Sequence, residues 1–225
     1  MDRKVNIVCE EPGGKRSPGR PRCERARQAI LGSTLQFLER KENGFDDLTI
    51  EHVASQASVG KATVYRWWPT KAALVADAFA SSVTQKLHFP DTGSVGKDMS
   101  QQMHQLVKIL HSRRGHILSV ILGAGQSDPT LISAFRERFM QPRRAEAYAT
   151  LRRGIVRGEL PPKLDLDFVL DALYGPIYMR FLIRHDTLTP AFVDQLCGLV
   201  LDRAARGARP AAGRRGGNGA SSGQE

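Results

Sequence analysis

Apolar residues recur at three- and four-residue spacing along most of the chain, and no two-residue alternation lasts long enough to define a strand. Ala26, Ile30, Leu31, Leu35 and Leu38 predict a first helix over about 24–41, with Gly44 ending that region. Thr49 offers an N-cap to a short second helix with Ile50, Val53, Ala54 and Ala57 on one face. Ser58, Val59 and Gly60 break it. A third helix over 61–68 stops at Pro69, and Thr70 caps a fourth over 71–86. A linker with Pro and Gly, 89–96, closes this unit. Beyond it the pattern predicts helices over about 98–112 and 114–124, then a long one from Asp128-Pro129 to about 157, with Pro142 as a kink or break. A final pair covers 165–185, bent at Gly175-Pro176, and 190–206. The predicted fold class is all-α.

The ends read differently. Residues 12–22, PGGKRSPGRPR, cannot form a helix, and 207–225 are Gly, Ala, Ser and Arg without an aromatic residue, a composition expected to be disordered. The chain therefore divides into an arm (1–23), an N-terminal helical unit (24–84), a second helical unit (85–206) and a tail (207–225). The ends also hold most of the net charge of +10. Lys15, Arg16, Arg20, Arg22, Arg25 and Arg27 face only Glu24, and the tail has arginines against Glu225 alone, while 28–202 is nearly neutral. Such ends suit a polyanion; the tail also reads as a solvated segment kept for solubility. A hydrophobic fraction of 41% suffices for a sizeable core. No apolar run approaches the ~18–20 residues of a membrane helix, and the first twelve residues lack the apolar stretch of a secretory leader. Cys9, Cys23 and Cys197 are too scattered for a disulfide framework or zinc cluster, so reduced thiols and a cytoplasmic location are expected.

Residues 49–68 carry the chemistry. Two short helices joined by a tight turn, with small Ala54 at the crossing and Val53, Ala57, Val59, Val64 and Trp67 apolar, have the make-up of a helix-turn-helix. A helix entering the major groove must be thin at its N-terminus, and Gly60-Lys61-Ala62-Thr63 is thin. Lys61, Thr63, Tyr65 and Arg66 lie in or beside the part that would face DNA. Lys71 sits in the first turn of the fourth helix, where the macrodipole disfavours a cation. A helix N-terminus with a lysine beside it is a natural phosphate cradle.

The stretch LTIEHVASQASVGKATVYRWWPTKAALVADAF, residues 48–79, resembles the DNA-binding domain of the TetR/AcrR family of transcriptional regulators, and the correspondence extends over about 24–84. The resemblance implies an N-terminal three-helix helix-turn-helix domain followed by a C-terminal helical bundle for effector binding and dimerisation. It also implies phosphate contacts from Tyr65 and Lys71, further backbone contacts from Thr49 and Thr63, and base-edge approach by Gly60, Lys61 and Ala62. Ser58 stands where the family usually has glycine, and Trp67-Trp68 where a single phenylalanine often ends the helix. In the arm, Pro18-Gly19-Arg20-Pro21-Arg22 resembles an AT-hook core, which would place Arg20 and Arg22 in the minor groove of A·T-rich DNA. A leader without a DNA role remains the other reading.

The second unit carries no legible motif. Two apolar stripes on 190–206, and a similar theme on 165–185, imply a second partner beside the chain's own core. A second copy, forming a symmetric four-helix interface, is the economical partner, as the resemblance also implies; a larger core within the single chain is the other reading. Leu173, Ile177, Val193, Cys197 and Leu201 are the interface candidates. If the resemblance holds, the middle helices enclose an effector pocket, with His111, His116, Phe135, Phe139, Met140, Tyr148, Tyr174 and Tyr178 as candidate lining. The doublets Arg113-Arg114, Arg143-Arg144 and Arg152-Arg153 read as solvated faces. There is no phosphate loop, HExxH, CxxC or glycine-flanked serine, so neither an enzyme nor a metal or cofactor site is expected. The reading is a DNA-binding, effector-responsive repressor, homodimeric on a palindromic operator of double-stranded DNA. An architectural A·T-rich DNA binder and a helical small-molecule carrier remain the alternatives.

Overall fold

A computed structural model describes residues 24–40 and 44–206. The described residues form helices α1 (Glu24–Leu38), α2 (Ile50–Gln56), α3 (Lys61–Trp67), α4 (Lys71–Val83), α5 (Val95–Leu110), α6 (Arg113–Ala124), α7 (Pro129–Phe135), α8 (Gln141–Val156), α9 (Leu166–Ile183) and α10 (Pro190–Arg206). No strand occurs among them. A 3-10 turn, Thr84–Lys86, extends α4, and a π-helical turn, Arg136–Met140, joins α7 to α8.

Local chemistry sets the starts. Thr49 Oγ1 accepts from the His52 amide at 3.1 Å, and Thr70 Oγ1 from the Ala73 amide at 3.0 Å, each satisfying an amide left open at a helix N-terminus. Asp128 and Asp165 do the same for α7 and α9. Between α2 and α3 the chain turns through Ser58 at φ +53°, in the left-handed region. The turn thus keeps a glycine-like backbone although a side chain stands there.

Helix α4 is the axis of the molecule. Ala72, Ala73, Leu74, Val75, Ala76, Ala78 and Phe79 are all buried, so apolar surface covers nearly its whole circumference. It packs on α1 on one side and on α6, α7 and the π-helical turn on the other. One continuous buried cluster consequently runs from Ile30 through α4 to Leu201. The irregularity expected at Pro142 lies one turn earlier. The chain passes from α7 into α8 through the π-helical turn, and Pro142 falls in the first turn of α8. Helix α9 runs on past Gly175-Pro176 and ends at Arg184, φ +57°.

The expected dimer stripe is corrected by this packing. Leu173, Ile177, Val193, Cys197 and Leu201 are all buried inside the single chain, because α9 and α10 turn these positions onto each other and onto α5 and α8. They leave little surface for a partner. The apolar side chains that stay exposed on α9 and α10 are Phe168, Met179, Leu182, Ile183 and Leu199, with Phe168 at 71% and Leu199 at 73%. No described helix is long and apolar enough to cross a membrane.

Candidate functional site

The helix-turn-helix presents a thin, polar outer face. Val64 is fully buried, and Val53, Ala54 and Ala57 are buried beside it, so the opposite side of α3 points outward. Gly60, Lys61, Ala62, Tyr65 and Arg66 are exposed there and Thr63 is half-buried. A Cβ placed on Gly60 would meet nothing within 4 Å, and its backbone needs no glycine, at φ −77°. The fold therefore does not demand this glycine; a ligand approaching from outside benefits from its thinness. Lys61 is ion-paired with Glu51 of α2, and both side chains are more than half exposed. The pair orients the lysine and contributes little to stability.

Lys71 is less free than the sequence suggests. Its ammonium donates to the carbonyls of Phe45 (2.9 Å) and Asp46 (3.4 Å) and sits 4.3 Å from the centre of the Phe45 ring. It thereby ties the loop before α2 to the start of α4. An ammonium has three donors, so one direction remains for an outside acceptor.

Trp68, at the C-terminal end of α3, was legible only as part of an aromatic pair. It is buried, and its indole Nε1 donates to Asp77 Oδ2 of α4 at 2.8 Å, the partner a buried tryptophan requires. The other oxygen, Asp77 Oδ1, pairs with Arg138 Nη1 at 3.0 Å. Arg138 belongs to the π-helical turn, as do Phe139 and Met140. A single carboxylate therefore bridges the end of the DNA-facing helix to a segment of the second unit. Glu39, in the turn just after α1, makes a second bridge, to Arg114 of α6.

Phe139 and Met140 lead to a cavity of about 280 Å³ between α5, α8 and α9. Leu87, Leu106, Tyr174 and Tyr178 supply much of its apolar wall, with Gln102, Arg143, Arg144 and Asp171 as the polar members. Tyr174 donates to Gln102 Oε1 at 2.9 Å. Burial raises both tyrosine hydroxyls above their ordinary range, Tyr178 to about 12, against a smaller opposing pull from the Arg143 charge. Both stay protonated at neutral pH. The two arginines fare differently. Arg144 pairs with Asp171 (2.9 Å) and Asp167 (2.5 Å) and donates to the Tyr148 hydroxyl (3.1 Å). Arg143 pairs with Glu146 at 2.8 Å through Nη1 and stacks 5.0 Å over Phe89; among the described residues its buried Nε and Nη2 have no partner.

Of the expected lining residues, Phe139, Met140, Tyr174 and Tyr178 thus meet at the cavity. The other four do not. Phe135 packs between Phe79 and Phe139 in an aromatic core cluster. Tyr148 is drawn away by hydrogen bonds with Asp167 and Arg144. His111 and His116 lie in a separate surface groove beside Arg180 and Leu188. Arg143 was passed over because a doublet of arginines reads as solvated; only Tyr174 and Tyr178, four apart on α9, hinted at an inward face. Cys197 is buried, which pushes its thiol up to about 11 and leaves it protonated. Among the described residues no group of three or more His, Cys, Asp or Glu is placed to hold a metal ion. Arg20, Arg22 and the tail lie outside the described residues.

An exposed, thin α3 on a helix-turn-helix, joined by a shared axial helix to a bundle with its own cavity, defines a DNA-binding regulator. Comparison with known proteins places it more closely. Residues 40–78 match the model of bacterial regulatory proteins of the tetR family, and 89–200 match the tetracyclin repressor-like C-terminal domain. The helix-turn-helix-type transcriptional regulator YdeS of Bacillus subtilis (strain 168) is 42% identical over 178 residues, 79% of this chain and 89% of its own. The crystal structure of the TetR family regulator SCO0332 shares 35% identity at a TM-score of 0.69, over 79% of this chain and 97% of that one. The chain belongs to the TetR family and is a helix-turn-helix DNA-binding transcriptional regulator. FadR of Bacillus subtilis, solved in complex with stearoyl-CoA, shares the fold at 17% identity and a TM-score of 0.61, over 78% of this chain and 97% of its own.

Proposed function

We propose that the protein is an effector-responsive repressor that binds a palindromic operator as a homodimer, with a DNA-binding unit over 24–84 and an effector and dimerisation unit over 85–206. The observation that carries this reading is the Trp68–Asp77–Arg138 bridge, because it joins the end of the DNA-facing helix to the segment that bears two cavity residues. Occupation of the cavity displaces Phe139 and Met140, shifts the π-helical turn, and so changes the angle of α4 and the spacing of the two recognition helices. A dimer reading successive major grooves needs these about 34–36 Å apart. A ligand favouring another spacing weakens operator binding by the same factor by which operator weakens the ligand. Repression is the economical outcome, since occluding a promoter needs no contact with polymerase.

Thr49, Tyr65 and the open donor of Lys71 serve as phosphate contacts, and Lys61 and Arg66 sit where base edges and the flanking backbone pass. Arg20 and Arg22 of the arm reach the adjacent minor groove. The two copies meet through Phe168, Met179, Leu182, Ile183 and Leu199, the apolar stripe that the single chain leaves exposed. The protein works in the cytoplasm and catalyses no reaction. Footprinting with the full chain on DNA flanking its own gene tests this reading. Protection of one inverted repeat with dimer stoichiometry is expected; protection that tracks A·T content without a repeat would replace it with an architectural role.

A further inference from the structure

Arg143 is a charged side chain placed where a protein rarely leaves one. Its side chain is 12% exposed, it lines the cavity, and its carboxylate partner among the described residues, Glu146, stands on the Nη1 side at 2.8 Å. Among the described residues the buried Nε and Nη2 have no acceptor, and the surrounding groups close both off from solvent. These two donors lie on the same edge of the guanidinium, the edge that takes the two oxygens of a carboxylate in parallel. A buried donor without an acceptor is costly, more so when charged, so two on one edge are a standing cost that a ligand would remove.

The neighbours exclude the protein's own acids from that role. Asp171 also lines the cavity, but it is bound to Arg144, which holds Asp167 as well. Tyr174 spends its hydroxyl on Gln102. Tyr178 keeps its proton and stands close enough to Arg143 to feel its charge. The rest of the wall is Leu87, Leu106, Phe139 and Met140. The volume of about 280 Å³ is near the lower end of ligand pockets, roughly 300–1,000 Å³.

We infer that the cavity takes a small apolar organic acid, whose carboxylate pairs with the Arg143 guanidinium by drawing its closed-off Nε–Nη2 edge into the cavity, and whose hydrophobic body fills the space between Phe139, Met140 and Tyr178. The inference rests on the reading of the protein as effector-responsive and names the chemical class of that effector. Arg143 supplies recognition of the acid head; the apolar wall supplies affinity for the body but little discrimination among bodies of similar size.

The test uses full-length dimer and two matched pairs of probes, 2-naphthoate with 2-naphthamide and decanoate with decanamide. Calorimetric titration at pH 7 should show each acid binding at least tenfold more tightly than its amide, whose head is neutral. Arg143→Gln should abolish that preference while leaving the amides bound as before, and Arg143→Lys should restore part of it, because an ammonium keeps the charge without the paired donors. Circular dichroism checks that both variants are folded; the acid-to-amide ratio in the unmodified protein decides the matter even if one is not. Equal binding of acids and amides overturns the inference and leaves effector response standing. Acids that bind through Arg143 yet leave operator affinity unchanged support the site and overturn effector response. Failure of all four probes to bind overturns the inference.

Discussion

The outer face of α3 and the wall of the cavity both depend on cationic side chains, and they handle charge in opposite ways. Around α3 the cations reach solvent and have weak partners. Lys61 of α3 is exposed and rests on Glu51, and half-buried Lys71, at the start of α4, rests on two loop carbonyls. In the cavity the decisive cation is buried and left with open donors on one edge. Water can satisfy an exposed lysine at little cost, so its partner need not be permanent. A buried guanidinium has no such recourse, and its open edge is itself a statement about what is missing. On the proposed reading the exposed surface meets DNA and the buried guanidinium meets the effector.

The largest effect should come from separating the two copies, because one α3 face grips DNA weakly without its twin. The double substitution Leu199→Arg with Ile183→Arg charges the exposed stripe without entering the core. Sedimentation should give a folded monomer, and operator affinity should fall by about 10²-fold or more, the gain that linking two sites supplies. Leu201→Arg, by contrast, puts a charge into a buried position and should unfold the chain's own core. A Leu199→Arg, Ile183→Arg monomer with wild-type operator affinity would remove the dimer from the mechanism.

Next come the cations and the thin edge of α3. Lys71→Ala should lower affinity about tenfold on every sequence and reduce the salt slope by about 0.9, the share of one phosphate contact. It should also loosen the loop at Phe45 and Asp46, at about 0.5–1.5 kcal/mol in urea titration. Gly60→Leu isolates the outward role, since among the described residues nothing stands within 4 Å of the added Cβ and the position is exposed. Its stability should stay within about 0.5 kcal/mol of wild type while operator binding drops. An unchanged salt slope for Lys71→Ala would reduce that lysine to a structural tie.

The contrast also explains what could be read from sequence. The helices of 24–84 were legible because each carries its own local signals: Thr49 and Thr70 as caps, Pro69 as a stop, and spaced apolar residues on one face. The candidate DNA face followed from short-range spacing together with the family resemblance of residues 48–79. The cavity did not, because it is assembled from α5, α8 and α9, far apart in sequence, and nothing local distinguishes Arg143 from Arg144. Their difference arises in three dimensions, where Asp167 and Asp171 of α9 reach only the second. The dimer stripe failed for a related reason. Helices α9 and α10 are apolar on more than one side, and periodicity cannot say which side the core claims. Leu173 and Leu199 look alike in the sequence; one is fully buried and the other is 73% exposed.

A smaller effect tests whether the two regions communicate. Asp77→Asn keeps an acceptor for Trp68 but removes the charge that holds Arg138. Operator affinity without effector should change by only a few fold. The shift caused by saturating 2-naphthoate should shrink below about fivefold, the lower limit of an ordinary allosteric coupling. Wild-type coupling in Asp77→Asn would mean that the signal travels elsewhere, with Glu39–Arg114 as the other bridge to sever.

The smallest effect lies in the turn between α2 and α3. Ser58 adopts φ +53°, a conformation that costs an L-residue roughly 1–2 kcal/mol and glycine almost nothing. Glycine also gives the unfolded chain more freedom, which takes back about 0.4–1 kcal/mol. The difference predicts that Ser58→Gly stabilises the protein by roughly 0–1.6 kcal/mol, seen as a small rise in thermal midpoint. The side chain is exposed and the backbone is already in place, so α3 should not move. Operator affinity and preference should therefore stay as they are. Ser58→Val, whose branched side chain tolerates this conformation worst, should act in the opposite direction and lower both stability and operator binding, because the turn sets the angle between the two helices. If Ser58→Gly altered which operator is preferred, the serine itself would be reading DNA, and the exposed face would begin two residues earlier than Gly60.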